Sequence, residues 1–180
     1  MDDTIYLVTG APGSGKSTVL DHFLRLKSGY VALDIDWLTV SASHLAGRDV
    51  IFDVAVGKQF RLLWFDFLRC ICRSNQVPIL FSPLDPRQTA DLGQPDWHPG
   101  IEWLLLDCSD DVRQERLCQR SDWTSQMIDE AAKDASHLRH AIARQIDTGA
   151  RSPEEAAKMI LDWVNRLRAP DRNRTSGRLR

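Results

Sequence analysis

No apolar run in this chain approaches the ~18 residues a membrane span needs. Charge of one sign is also missing: over 180 residues the formal net charge is −2. The whole molecule therefore has no field that would draw it to nucleic acid or to an anionic membrane, and any phosphate must be held by locally placed positive charge. Cysteine is sparse, with four residues, Cys70, Cys72, Cys108 and Cys118, and none forms a C-x-x-C pair. Such spacing argues against a disulfide framework or a zinc site and for reduced thiols in a cytosolic protein. The opening MDDTIYLVTG is acidic and lacks the basic start of a secretory leader. These absences leave a cytoplasmic protein with an ordinary core, long enough for a single domain.

Short apolar bursts alternate with longer amphipathic stretches. Buried strands are expected at Ile5–Thr9, Tyr30–Leu33, Val77–Phe81 and Trp103–Asp107, with a short fifth at Gln145–Asp147. Helical spacing marks Thr18–Lys27, Gln59–Arg73, Asp110–Arg120 and Ser125–Ile142. A last helix opens at Ser152-Pro153-Glu154-Glu155, with proline and acids in its first turn. Asp85–Gly100, rich in proline and glycine, reads as a loop. Alternating strands and helices imply an α/β fold, a parallel sheet wrapped by helices. The domain is expected over residues 1–168, followed by an arginine-rich, disordered tail over 169–180.

The decisive segment is GAPGSGKS at 10–17, which matches G-x-x-x-x-G-K-[ST]. It follows an apolar strand and opens an amphipathic helix, the context such a loop requires. A polyphosphate needs many converging donors, and main-chain N–H groups supply them only where Gly10, Gly13 and Gly15 let the chain wrap closely. The loop Gly10, Ala11, Pro12, Gly13, Ser14 and Gly15 is thus expected to cradle a nucleotide. The helix N-terminus at Lys16, Ser17 and Thr18 faces the anion. Lys16 reaches the outer phosphates as a mobile point charge, and the Ser17 hydroxyl ligates Mg²⁺.

Strand two ends Leu33-Asp34-Ile35-Asp36-Trp37. Two carboxylates two apart on a strand project to one side, at the end of the sheet where ligands sit. Phosphoryl transfer needs a metal near the transferring group and an oriented acceptor. Asp34 is a candidate metal holder and Asp36 a candidate base for an acceptor hydroxyl. The competing reading makes them caps of the helix beginning near Trp37.

GAPGSGKST at 10–18, LDIDWL at 33–38, LLLDCSDDVRQERLCQR at 104–120 and IDTGARSPEEAAKMILDWV at 146–164 together resemble the small P-loop kinases of the nucleoside-monophosphate-kinase-like group. Shikimate kinase, gluconate kinase and chloramphenicol phosphotransferase belong to that group. The resemblance implies the P-loop NTPase fold, five parallel strands in order 2-3-1-4-5, with a short lid after strand four. It implies ATP and Mg²⁺ as cofactors. It places Arg116 on adenine, Arg120 on phosphate as a catalytic cation beside Lys16 and Asp36, and the 147–149 loop beside the base. From spacing alone, Arg116 and Arg120 share a helix face, where they either grip a polyphosphate or pair with Asp111 and Glu115; Arg113 is expected in solvent. The acceptor pocket should draw on 37–75 and 82–100, with Trp37 and Arg48 as substrate-binding residues and Arg61, Trp64, Arg87 and Trp97 as further candidates. FSPLDPRQ at 81–88 departs from the glycine-rich acceptor loop of shikimate kinase, so the acceptor stays open among nucleoside, sugar and antibiotic hydroxyls. A nucleotide-binding regulatory module and a polynucleotide-end kinase are the alternatives. The net charge argues against a nucleic-acid partner, and oligomeric state has no signature.

Overall fold

A computed structural model describes residues 4–92 and 100–169. Trp97 and the tail beyond 169 lie outside the described residues. Five strands, β1 (Ile5–Thr9), β2 (Val31–Asp34), β3 (Pro78–Ser82), β4 (Ile101–Asp107) and β5 (Gln145–Asp147), form one parallel sheet in the order β2-β3-β1-β4-β5. The helices are α1 (Lys16–Arg25), α2 (Thr39–Ala46), α3 (Val54–Arg73), α4 (Pro86–Asp91), α5 (Asp110–Cys118), α6 (Ser125–Ala141) and α7 (Pro153–Arg168). This is the P-loop NTPase arrangement that the resemblance implied.

Strand β1 is buried on both faces and alternates between two cores. Tyr6 and Val8 point to the side of α1 and α7, among Leu20, Phe23, Ile160 and Trp163. Ile5 and Leu7 point to the opposite side, among Phe60, Trp64, Leu68 and Leu80 of α3 and β3. A central parallel strand covered by helices on both faces has no room for a polar alternation, which is why IYLVT reads as a continuous apolar run. Trp163 meets Tyr6 edge to face, with ring centroids 5.4 Å apart.

The structure departs most from the sequence-based expectation in three places. A 3-10 helix (Ile35–Leu38) and α2 follow β2, where only a helix start was expected. Helix α3 begins at Val54, five residues before Gln59, because the Asp53 carboxylate caps the N–H groups of Ala55 and Val56 at 3.1 Å. The expected loop after β3 contains α4, started by Asp85, whose side chain accepts from the Gln88 N–H at 2.7 Å, with Pro86 in the first turn. Proline thus marks a helix start here, where its fixed φ is an asset.

Candidate active site

The segments that follow β1, β2 and β3 meet at the carboxyl end of the sheet, around a cavity of about 500 Å³. After β1 the chain turns toward α1, and Gly10 sits so close to the neighbouring β4 that a Cβ there would collide with the Leu106 carbonyl. Gly15 stands at φ 85° as the N-cap of α1, a conformation glycine adopts without steric cost. Helix α1 begins with no side-chain cap and no acid in its first turn. Helices α3 to α7 are each capped by a side chain. The free N–H groups of α1 and the positive end of its dipole are therefore left to an anion at the cavity floor. Ser14 is buried with an Oγ that has no partner among the described residues.

The Lys16 Nζ folds back onto the Gly10 carbonyl at 2.5 Å. Burial lowers its pKa to about 8, against the opposing pull of Asp36 and Asp34. Ser17 and Thr18 line the same cavity and are exposed to it.

Asp34 and Asp36 come together for a different reason than strand alternation. Asp34 is the last residue of β2, and Asp36 already belongs to the 3-10 helix. The Asp34 carboxylate caps that helix, accepting from the Asp36 N–H at 3.0 Å. Burial raises the Asp34 pKa, a shift that the Asp36 N–H bond works against. Asp36 is exposed on the cavity wall. The capping role weighed against function is real for Asp34, and it holds the turn that aims Asp36.

Behind the loop lies an ionic frame. Arg113, expected in solvent, is 1% exposed, because Asp107 receives its guanidinium and the Pro12 carbonyl accepts from it at 2.6 Å. Arg139 shares Asp107 and donates to the Cys108 carbonyl and to Asp110, each at 2.8 Å. Arg116 donates to the Gly13 carbonyl at 3.1 Å and to the Thr148 carbonyl at 2.8 Å, tying the phosphate loop to the turn after β5. Thr148 itself donates to the Ser14 carbonyl at 2.8 Å. Ala11 is packed in the core with Leu105 and Leu138. Arg120, one turn beyond Arg116, is exposed on the cavity wall with its guanidinium 5.8 Å above the Trp123 ring, which also lines the cavity.

The far wall is built from Ile35, Val50, Phe60, Pro83 and Leu84, with Thr39 and Arg61. Arg61 makes no hydrogen bond or ion pair to a described residue, and its Nε is buried without a partner. The structure does not bring Trp37 or Arg48 to the cavity. Trp37 is half exposed outside it, and Arg48 pairs with Asp53 at 3.0 Å. Trp64 is core, edge to face with Phe60 and Phe67, and Arg87 is exposed away from the cavity. Sequence reasoning missed Val50, Leu84 and Trp123, because an apolar residue near a helix reads as core until the cavity is seen.

Neither a family model nor a curated protein matches the chain. Solved structures do. A gluconokinase from Sinorhizobium meliloti 1021 aligns with a TM-score of 0.61 at 18% identity over 92% of this chain and 94% of that one. A sugar kinase from Janibacter sp. HTCC2649 gives 0.63 at 16% identity, over 90% and 94%. The shikimate kinase from Acinetobacter baumannii, solved in complex with shikimate, gives 0.53 at 19%, over 92% and 94%. The chain has the small P-loop kinase fold. In that fold the α1 N-terminus, the Asp34–Asp36 turn and the α5–α6 segment bearing Arg120 surround one cavity here. Among the described residues no helix is long and apolar enough to cross a membrane.

Proposed function

We propose that the protein transfers the γ-phosphoryl group of Mg·ATP to the hydroxyl of a small molecule held against the Ile35–Phe60–Leu84 wall. The observation that carries this reading is the uncapped α1 N-terminus with Lys16, in one cavity with Asp36 and the apolar wall of Ile35, Phe60 and Leu84. Loop amides and Lys16 bind the phosphates, and Arg120 adds positive charge from above. Asp36 orients the acceptor hydroxyl and receives its proton. The acceptor oxygen forms its bond to the γ-phosphorus as the bond to the bridging oxygen breaks. Arg116 and the 147–149 turn flank the base, and Arg61 offers one polar handle to a carbonyl or carboxylate of the acceptor.

The oxygen donors fit Mg²⁺: the Ser17 hydroxyl and the Asp34 carboxylate are hard ligands, and no cluster of three His, Cys, Asp or Glu among the described residues would make a closed protein cage. Such a site suits an ion that arrives with its phosphates, and the metal supplies charge neutralisation at the transferring group.

Calorimetry with Mg·ADP should show saturable binding that Lys16→Met removes, and ATP should be consumed only when an acceptor alcohol is present. Tight Mg·ADP binding with little turnover in the presence of any acceptor would favour the regulatory-module alternative. The Lys16 pKa adds a pH signature. Below about pH 8 the lysine is charged before phosphate arrives. Above it, binding must first take up a proton, because the bound polyanion favours the charged form. Mg·ADP affinity should therefore fall about tenfold between pH 7 and pH 9. A flat profile over that range would remove the lysine's burial from the account.

A further inference from the structure

We infer that the acceptor is an alcohol carried on a compact apolar or aromatic body, and that polyols, sugars and sugar acids are poor occupants. This rests on the kinase reading above and narrows it. The cavity has two unlike ends. One holds Lys16, Ser17, Asp36 and Arg120; the other is walled by Ile35, Val50, Phe60 and Leu84, all buried.

Polar groups on the second wall are scarce. The Thr39 hydroxyl already donates to the Asp36 carbonyl at 2.7 Å. That leaves Arg61 as the polar side chain on this wall without a described partner. A polyol carries a hydroxyl on nearly every carbon, and each one moved from water against Val50 or Leu84 would lose its hydrogen bonds without replacement. A ring or short alkyl body has no such loss and gains by leaving water.

The rim points the same way. Ile51 lines the cavity yet is 65% exposed, and its neighbours Phe52 and Val54 are 82% and 83% exposed. Of these, Ile51 extends the apolar wall outward, where an occupant would cover it. The volume, about 500 Å³ shared with the phosphate end, limits the body to about one or two rings.

The test is calorimetric titration of the full chain, free and loaded with Mg·ADP, using pairs matched in polar handle. 3-Hydroxy-2-phenylpropanoate is set against gluconate, since both carry a carboxylate and a primary alcohol, and 2-phenylethanol against xylitol. The aryl member of each pair should bind at least about tenfold more tightly, and Leu84→Asn should erase about tenfold of that preference. Leu84 is buried, so Ile51→Ser, at an exposed position, serves as the variant that keeps the fold. It should lower the aryl preference several-fold and leave Mg·ADP affinity unchanged. Equal or tighter binding of gluconate and xylitol would overturn the inference, as would no measurable binding of any probe at millimolar concentration. Absence of Mg·ADP binding would remove the kinase reading, whereas the aryl-to-polyol ratio on the free chain would still decide which class of molecule the cavity takes. Aryl binding without phosphoryl transfer would separate the two in the same way.

Discussion

Asp36→Asn should lower phosphoryl transfer by about a thousandfold and leave Mg·ADP affinity within a few-fold of the parent. A positioned general base contributes on the order of 100- to 10,000-fold, and asparagine keeps the size and hydrogen-bonding shape of the carboxylate while losing its ability to take a proton. The fold should be unaffected, because Asp36 is exposed and the turn that carries it is held by its own main-chain N–H on Asp34. The side chain being replaced makes none of that support. Asp34→Ala should act differently, loosening the turn and lowering both binding and turnover. The measurement is steady-state transfer with nucleotide titration on the same preparation. Transfer within tenfold of the parent in Asp36→Asn would leave the proton to another acceptor, and Asp36 would then be only a wall of the cavity.

Arg113→Met should cost about 3 kcal/mol of folding free energy, read as a lower denaturant midpoint, because breaking one partner of a buried ion pair is far more damaging than never having had it. Methionine keeps the aliphatic stem on which the loop rests; a Cβ at Gly13 would lie only 3.0 Å from Arg113 Cγ. What is lost is the guanidinium between Asp107 and the Pro12 carbonyl. Asp107 would retain Arg139, which places the cost at the lower end of the range for buried pairs. Nucleotide affinity should weaken as well, since the Pro12 peptide helps fix the direction of the loop amides that follow it. A stability loss below about 1 kcal/mol would mean that Arg139 alone neutralises Asp107 and that the Arg113 guanidinium is structurally idle.

The two variants differ in how visible their sites were beforehand. Asp36 stands out in the sequence as a carboxylate just past an apolar strand. Arg113 does not. It lies on a polar helix beside Asp110, Asp111 and Glu115, and three acids each within one turn of it read as solvated ion partners. Its burial follows from the packing of α5 across the back of the phosphate loop, which brings Asp107, Pro12 and Arg113 together from three separate segments. Trp37 and Arg48 fail for the opposite reason. They have the right chemistry for an acceptor site and are close in sequence to Asp36, but the 3-10 helix and α2 turn them outward.

Local order alone determined the phosphate loop, the strand–helix alternation and the approximate limits of the sheet. The donors of a phosphate cradle are consecutive main-chain groups, and strand and helix periodicities are properties of short stretches. Tertiary structure decided the acceptor wall, the frame behind the loop and the partnership of Asp34 with Asp36. Each of these depends on side chains distant in sequence, or on a cap whose geometry exists only once the chain has turned. Ile35, Val50, Phe60 and Leu84 are unremarkable as letters and become a binding surface only when β2, α3 and the end of β3 converge on one side of Lys16.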